Sequence, residues 1–128
     1  LISDLTGDFI IDALDYALEV PRAAPLTYSL GFNIDGNLGT WRSITRISYY
    51  HRDKSYYNEN NQGFINEQDI LNFGYDIYSS DGKINIGIYG KNLSNEVKHG
   101  GDTNLSFGGT FAPLAKGKIV GAELVYKF

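Results

Sequence analysis

The sequence predicts an all-β fold, an antiparallel meander of about five strands. Five segments alternate apolar and polar residues with a period of two, as strands require. Glycine-bearing turns and long polar connections separate them. The composition, with 10 Tyr, 7 Phe and 15 Gly against 3 Pro, favours strands and turns over helices.

The alternation is cleanest at the end, where Val120, Ala122, Leu124, Tyr126 and Phe128 share one side. Upstream, the same side holds Leu26, Tyr28, Leu30, Phe32 and Ile34 in one segment, and Trp41, Ser43, Thr45, Ile47 and Tyr49 in the next. Leu71, Phe73, Tyr75 and Ile77 form the third such row, and Ile84, Ile86, Ile88 and Gly90 the fourth. None of these residues is charged. Arg42, Arg46, Asp76, Lys91 and Glu123 all fall on the opposite side, with Asn33 and Asn85.

Two connections are short, Gly36–Gly39 and Ser79–Gly82, and suit hairpins. Placing Ile34 opposite Trp41 and Ile77 opposite Ile84 aligns the apolar sides. The other two, roughly residues 53–68 and 93–115, are too long for ordinary hairpins. In residues 1–25, an external loop or irregular segment, Phe9, Ile10, Ala13, Leu14, Ala17 and Leu18 have helical spacing. A short helix capped by Asp8 is expected there, ended by Pro21 and Pro25.

Short turns alternating with long loops, around strands with one uncharged side, describe a section of a large transmembrane β-barrel. Tyr and Trp near the strand ends suit its two interfaces: Trp41, Tyr78 and Tyr126 on the turn side, Tyr28, Tyr49 and Tyr89 on the loop side. Alternation also fits a soluble β-sandwich or ligand-binding barrel. The polar side decides for the membrane, because its charges suit a watered lumen better than a packed interior. A mean hydropathy of −0.26 is no objection, since barrel strands dilute apolar residues one in two. The chain opens on Leu1 and is expected to be part of a longer protein.

Function classes fall away in turn. A net charge of −4 without a basic run argues against a nucleic-acid partner. Absence of cysteine removes disulfides and thiolate metal sites. His51 and His99 have no ligand partners at metal spacing, and Asp8, Asp12 and Asp15 lack the calcium-loop pattern. No nucleophile–base arrangement is present, so the chain is not expected to be an enzyme, and no cofactor is expected. Tyr56, Tyr57 and Asn60 in one long loop, and Phe107 and Phe111 in the other, are ligand-contact candidates: aromatic planes and amides stack on and bond to sugars or flat chelates.

Lys91-Asn92-Leu93-Ser94-Asn95-Glu96 resembles the step after the penultimate strand of TonB-dependent outer-membrane receptors. Pro21-Arg22-Ala23-Ala24-Pro25 is similar to that family's proline-bearing run, and the spacing to a last strand ending Tyr126-Lys127-Phe128 also matches. The resemblance implies that residues 26–128 are the C-terminal strands of such a receptor, in the bacterial cell outer membrane. Leu124, Tyr126 and Phe128 would belong to the signal read by the barrel-assembly machinery. The implied partners are outer-membrane lipid, the remainder of the barrel and its plug, and the TonB complex acting through the plug. The implied activity is uptake of a scarce nutrient of the siderophore, cobalamin or glycan class. A porin-like channel is the alternative within the membrane. Neither plug nor TonB-contacting box is visible in these residues.

Overall fold

A computed structural model describes residues 3–61, 63–98, 103–105, 109–111 and 113–128. Its elements are α1 (Ala13–Tyr16), β1 (Thr27–Leu38), β2 (Trp41–Arg52), β3 (Ser55–Tyr56), β4 (Phe64–Ile65), β5 (Gln68–Tyr78), β6 (Ile84–Lys91), β7 (Thr103–Leu105), β8 (Gly109–Phe111) and β9 (Ile119–Tyr126). The all-β expectation holds. The five long strands form one antiparallel sheet in the order β1-β2-β5-β6-β9, and β3–β4 and β7–β8 are separate two-stranded hairpins. The chain divides into two units. A sheet unit comprises Tyr28–His51, Asp69–Val97 and Lys116–Phe128; a loop unit comprises Leu1–Thr27, Arg52–Gln68 and Lys98–Ala115.

Within the sheet unit the predicted faces are correct and the predicted registers are not. β1 runs on to Leu38, so the turn to β2 is Gly39-Thr40, with Gly39 at φ +64°. Leu38, not Ile34, therefore adjoins Trp41. In the next hairpin Ile77 lies opposite Ile86, and Tyr78 opposite Asn85. The cause is Ser79, which donates its N–H to the Ile84 carbonyl (2.9 Å) and accepts the Ile84 N–H on Oγ (2.9 Å). Asp81 closes this turn by accepting from Ser79 Oγ and from the Lys83 N–H. The Ser79 hydroxyl first, and that N–H second, hold its carboxyl below the usual carboxylate range. Both shifts are even, and an even slip leaves every side chain on its own face. The rows Phe73–Gly90–Val120, Tyr75–Ile88–Ala122 and Ile77–Ile86–Leu124 accordingly cross three strands on one side.

The loop after β6 is pinned by a polar knot. Asn92, nearly buried and at φ +50°, donates through Nδ2 to the carbonyls of Glu96 (3.0 Å) and Lys116 (2.8 Å), and accepts the Glu96 N–H on Oδ1 (2.9 Å). Its own N–H goes to Asn72 Oδ1 (3.0 Å), while the next residue, Leu93, donates to the Leu71 carbonyl and lays its side chain over Gly90. The Lys91–Glu96 step is thus a backbone-satisfying turn that ties β5, β6 and the run into β9.

In the loop unit the expected helix is a single turn. Asp12, not Asp8, caps α1, in a reciprocal box with Asp15. The upstream residues cannot join it, because Asp4 accepts the N–H groups of Gly7 and Phe9, Asp8 accepts that of Ile10, and Phe9 sits at φ +68°. Short acidic side chains have captured the N–H groups a helix needs. Asp15 accepts three more, from Thr6, Asp12 and Leu5, and the Thr6 and Asp12 bonds lead in holding its carboxyl below the usual range. Replacing Asn92 with Ala removes its side-chain bonds and strains the left-handed backbone. The expected loss is about 3 kcal/mol of unfolding free energy, measured by urea titration of the protein. Asn92→Gly, which relieves only the backbone, is expected to recover less than half.

Candidate functional site

The sheet carries its apolar residues in the open. Among the described residues no hydrophobic side chain is buried; the buried positions are Asp15, Ser55, Asn92 and three glycines, Gly74, Gly87 and Gly90. On the uncharged face Phe32 is 62% exposed, Val120 70% and Leu124 71%, with Leu30, Ile34, Ile86 and Ile88 also exposed. A soluble sheet would cover such a face with a second layer. Predicted residues Leu124, Tyr126 and Phe128 complete it on β9: Leu124 opposite Ile86, Tyr126 opposite Ile84, and the Phe128 ring edge-on to Tyr126 at 5.1 Å.

The opposite face is polar and lies flat. Arg46 pairs with Asp76, Arg42 with Asp35 (2.9 Å), and Asn72 donates to Ser48 (3.2 Å). Glycines make room for these side chains. A Cβ on Gly121 would stand 2.5 Å from the Tyr89 ring, one on Gly87 2.7 Å from Asp76 Oδ1, and one on Gly74 3.5 Å from Arg46. Tyr89, near the loop-side end but on the polar side by alternation, lies along that face against Gly121. The result is a shallow concavity of about 540 Å³ edged by Asn33, Arg46, Ser48, Asn72, Tyr89 and Lys91.

At one end of the apolar face the charge pattern breaks. Tyr49 Oη donates to Asp69 Oδ1 (2.5 Å), His51 Nδ1 lies 2.7 Å from the same oxygen, and the Tyr28 ring stacks on His51 at 4.9 Å. His51 therefore has a carboxylate partner that sequence spacing missed, eighteen residues away on the neighbouring strand. Among the described residues no three acidic or His side chains gather to hold a metal. Tyr28 and Tyr49 stand where an interfacial belt was expected, joined there by an ionisable pair.

The loop unit builds a groove from three segments, at residues 4–5, 21–22 and 57–60. The β3–β4 hairpin carries a tip that starts at Tyr57, whose N–H donates to the Gly63 carbonyl, with Asn61 and Gly63 both at positive φ. Asn61 then bonds Glu19 with both ends of its amide: Oδ1 accepts the Glu19 N–H (2.8 Å) and Nδ2 donates to its carbonyl (2.9 Å). Arg22 adds a third link, donating its N–H to the Tyr56 carbonyl (2.6 Å). These bonds set Pro21 and Arg22 beside Tyr57, Asn58 and Asn60, enclosing about 600 Å³. The Arg22 guanidinium lies 4.6 Å from the centre of the Tyr57 ring.

Two of the predicted contact residues, Tyr57 and Asn60, thus meet in one groove. Tyr56 does not line it; its ring packs under Lys54 Nζ, which also covers Phe64. Phe111 belongs to β8, opposite Thr103, and Phe107 and His99 lie outside the described residues. Arg22 and Glu59 line the groove although sequence reasoning did not select them as contacts; no spacing rule links position 22 to position 59.

No helix among the described residues is long and apolar enough to cross a membrane, which has no bearing on crossing by strands. Compared with known proteins, the chain matches no family model, no curated protein and no solved structure. Asn61→Gly keeps the left-handed backbone and deletes both amide bonds. It is expected to raise amide exchange at Glu19 and Arg22 about thirtyfold, since the two lost bonds are worth about 1 kcal/mol each, with exchange in β5 and β6 unchanged.

Proposed function

We propose that the five-stranded sheet is a section of outer-membrane β-barrel wall, with lipid on its apolar face and a hydrated lumen on its polar face. The observation that carries this reading is the uncovered apolar face. Its side chains are exposed across all five strands, while the opposite face is a ladder of ion pairs and amides. Three of the five strands are long enough for it: β1, β2 and β5 run 12, 12 and 11 residues, against the roughly 9–11 needed for a tilted span, while β6 and β9 run 8 each. So does the spacing of interfacial groups. Ten residues separate Trp41 from His51 on β2, or about 33 Å along the strand and about 25 Å of height at ~40° tilt, the height of a barrel's apolar band. The sheet's two outer strands, β1 and β9, each have a partner on one side only within the described residues, as a wall section cut from a closed barrel would.

The finer reading is that this wall belongs to a TonB-dependent receptor of the bacterial outer membrane. Such a receptor takes up a scarce nutrient with TonB-supplied energy, and this segment contributes wall, lumen lining and external loops. Its support is the Lys91–Glu96 step and its spacing to Tyr126-Lys127-Phe128. The knot around Asn92 gives that step a structural task at the end of β6, where a long loop must leave the wall without stranding backbone groups. The part this segment plays is physical rather than chemical: it separates lipid from water and presents loops.

Ile86 and Asn85 are neighbours on opposite faces of β6, so they test the wall directly. In the intact protein Ile86→Arg is expected to cost about 2–4 kcal/mol near the bilayer midplane and to reduce heat-modifiable, folded barrel in outer-membrane fractions, while Asn85→Arg leaves assembly near wild type. Equal effects of the two would refute the face assignment. Energy coupling is tested by uptake in cells lacking TonB: loss of accumulation is expected, and undiminished uptake would point to a passive porin-like channel.

A further inference from the structure

The geometry points to the loop-unit groove as a binding site for a neutral, hydroxyl-rich ring ligand, a sugar unit of an oligosaccharide. Its lining combines the three things such a ligand uses. The Tyr57 ring, covered on one face by the Arg22 guanidinium, has its second face as a plane for the C–H face of a pyranose. Donors come from the Arg22 guanidinium: it lies against Tyr57, and no carboxylate, carbonyl or other acceptor among the described residues takes its N–H groups. Acceptors come from the exposed Glu59 carboxylate, which is unpaired among the described residues, and a ligand hydroxyl donating to it makes a charge-assisted bond.

Backbone conformation supports the same place. Arg22 is a non-glycine residue in the left-handed region, at φ +59°, held there by its bond to Tyr56 and flanked by Pro21. Unfavourable φ of this kind persists where surrounding contacts over-determine it, and it collects at ligand sites. The guanidinium of this same residue lies over the Tyr57 ring.

Charge selects among ligands. The groove holds one guanidinium and two carboxylates, those of Glu59 and Asp4. The latter is saturated by the N–H groups of Gly7 and Phe9 and the Thr6 hydroxyl. A net negative lining repels an anionic iron chelate. It accepts a neutral polyol, whose hydroxyls donate to Glu59 and accept from Arg22. The binding claim does not depend on the sheet facing lipid. Only the step from bound sugar to transported cargo rests on the membrane reading, and the Ile86 and Asn85 pair tests that separately.

The test is calorimetric titration of the intact protein with neutral gluco-, manno- and galacto-configured trisaccharides and with a ferric tricatecholate. Saturable binding of at least one trisaccharide is expected, weakened about tenfold by Tyr57→Ala and at least about fivefold by Arg22→Gly and by Glu59→Gln. Glycine at position 22 preserves the left-handed backbone, and amide exchange of Tyr56 and Tyr57 verifies that the hairpin is intact in each variant. Failure of every trisaccharide to bind, or binding unaffected by Tyr57→Ala in a folded variant, overturns the inference. Tighter binding of the tricatecholate that Glu59→Gln strengthens overturns it as well, because loss of that carboxylate favours an anion and disfavours a sugar.

Discussion

An apolar sheet face has to be kept from water, and in this protein no layer of the described chain does so. Burying such a face contributes roughly 25 cal/mol per Å², which is where a soluble domain of this size finds most of its stability. Here the buried positions are glycines and polar groups, and the large apolar side chains stand outside. What holds the five strands to one another is the backbone ladder, together with side-chain bonds that run along the polar face. On the proposed reading, hydrocarbon covers the apolar side. In such a medium the ladder is stronger for the same reason that unpaired backbone groups become costly.

The polar face shows how a wall stays thin without side chains packing above it. Each long side chain in the middle of that face leans over a glycine: Tyr89 over Gly121, Asp76 over Gly87, Arg46 over Gly74. Exposed ion pairs such as Arg42–Asp35 add little stability individually. Their effect is geometric, since they hold the charges flat along the polar face. Where the chain must leave the ladder, at Ser79 and at Asn92, side chains take over the backbone's hydrogen bonds.

The loop unit works by other means. It has no buried apolar residue among those described, and its order comes from carboxylates and amides that accept backbone N–H groups. Asp4, Asp12 and Asp15 organise the first residues, and Asn61 and Arg22 join Glu19–Arg22 to the β3–β4 hairpin. The acidic run that invites a calcium reading is therefore occupied by the protein's own amides. Two positive-φ positions, Arg22 and Asn61, lie at the joint between the segments.

Period-two alternation was enough to assign both faces of all five long strands, because a strand has only two sides and one side had to be uncharged. The same pattern could not set register, since a slip of two or four residues costs nothing in face. Turn chemistry decided it, through Gly39 at positive φ and through the double bond pair between Ser79 and Ile84. Two-residue strands such as β3 and β4 are too short to show any period, so the loop hairpins were invisible. The sequence by itself determined which side chains share a face, a local property of backbone geometry. Only the tertiary structure decided that His51 meets Asp69 and that Arg22 meets Tyr57, because those meetings depend on hydrogen bonds between segments that no local rule connects.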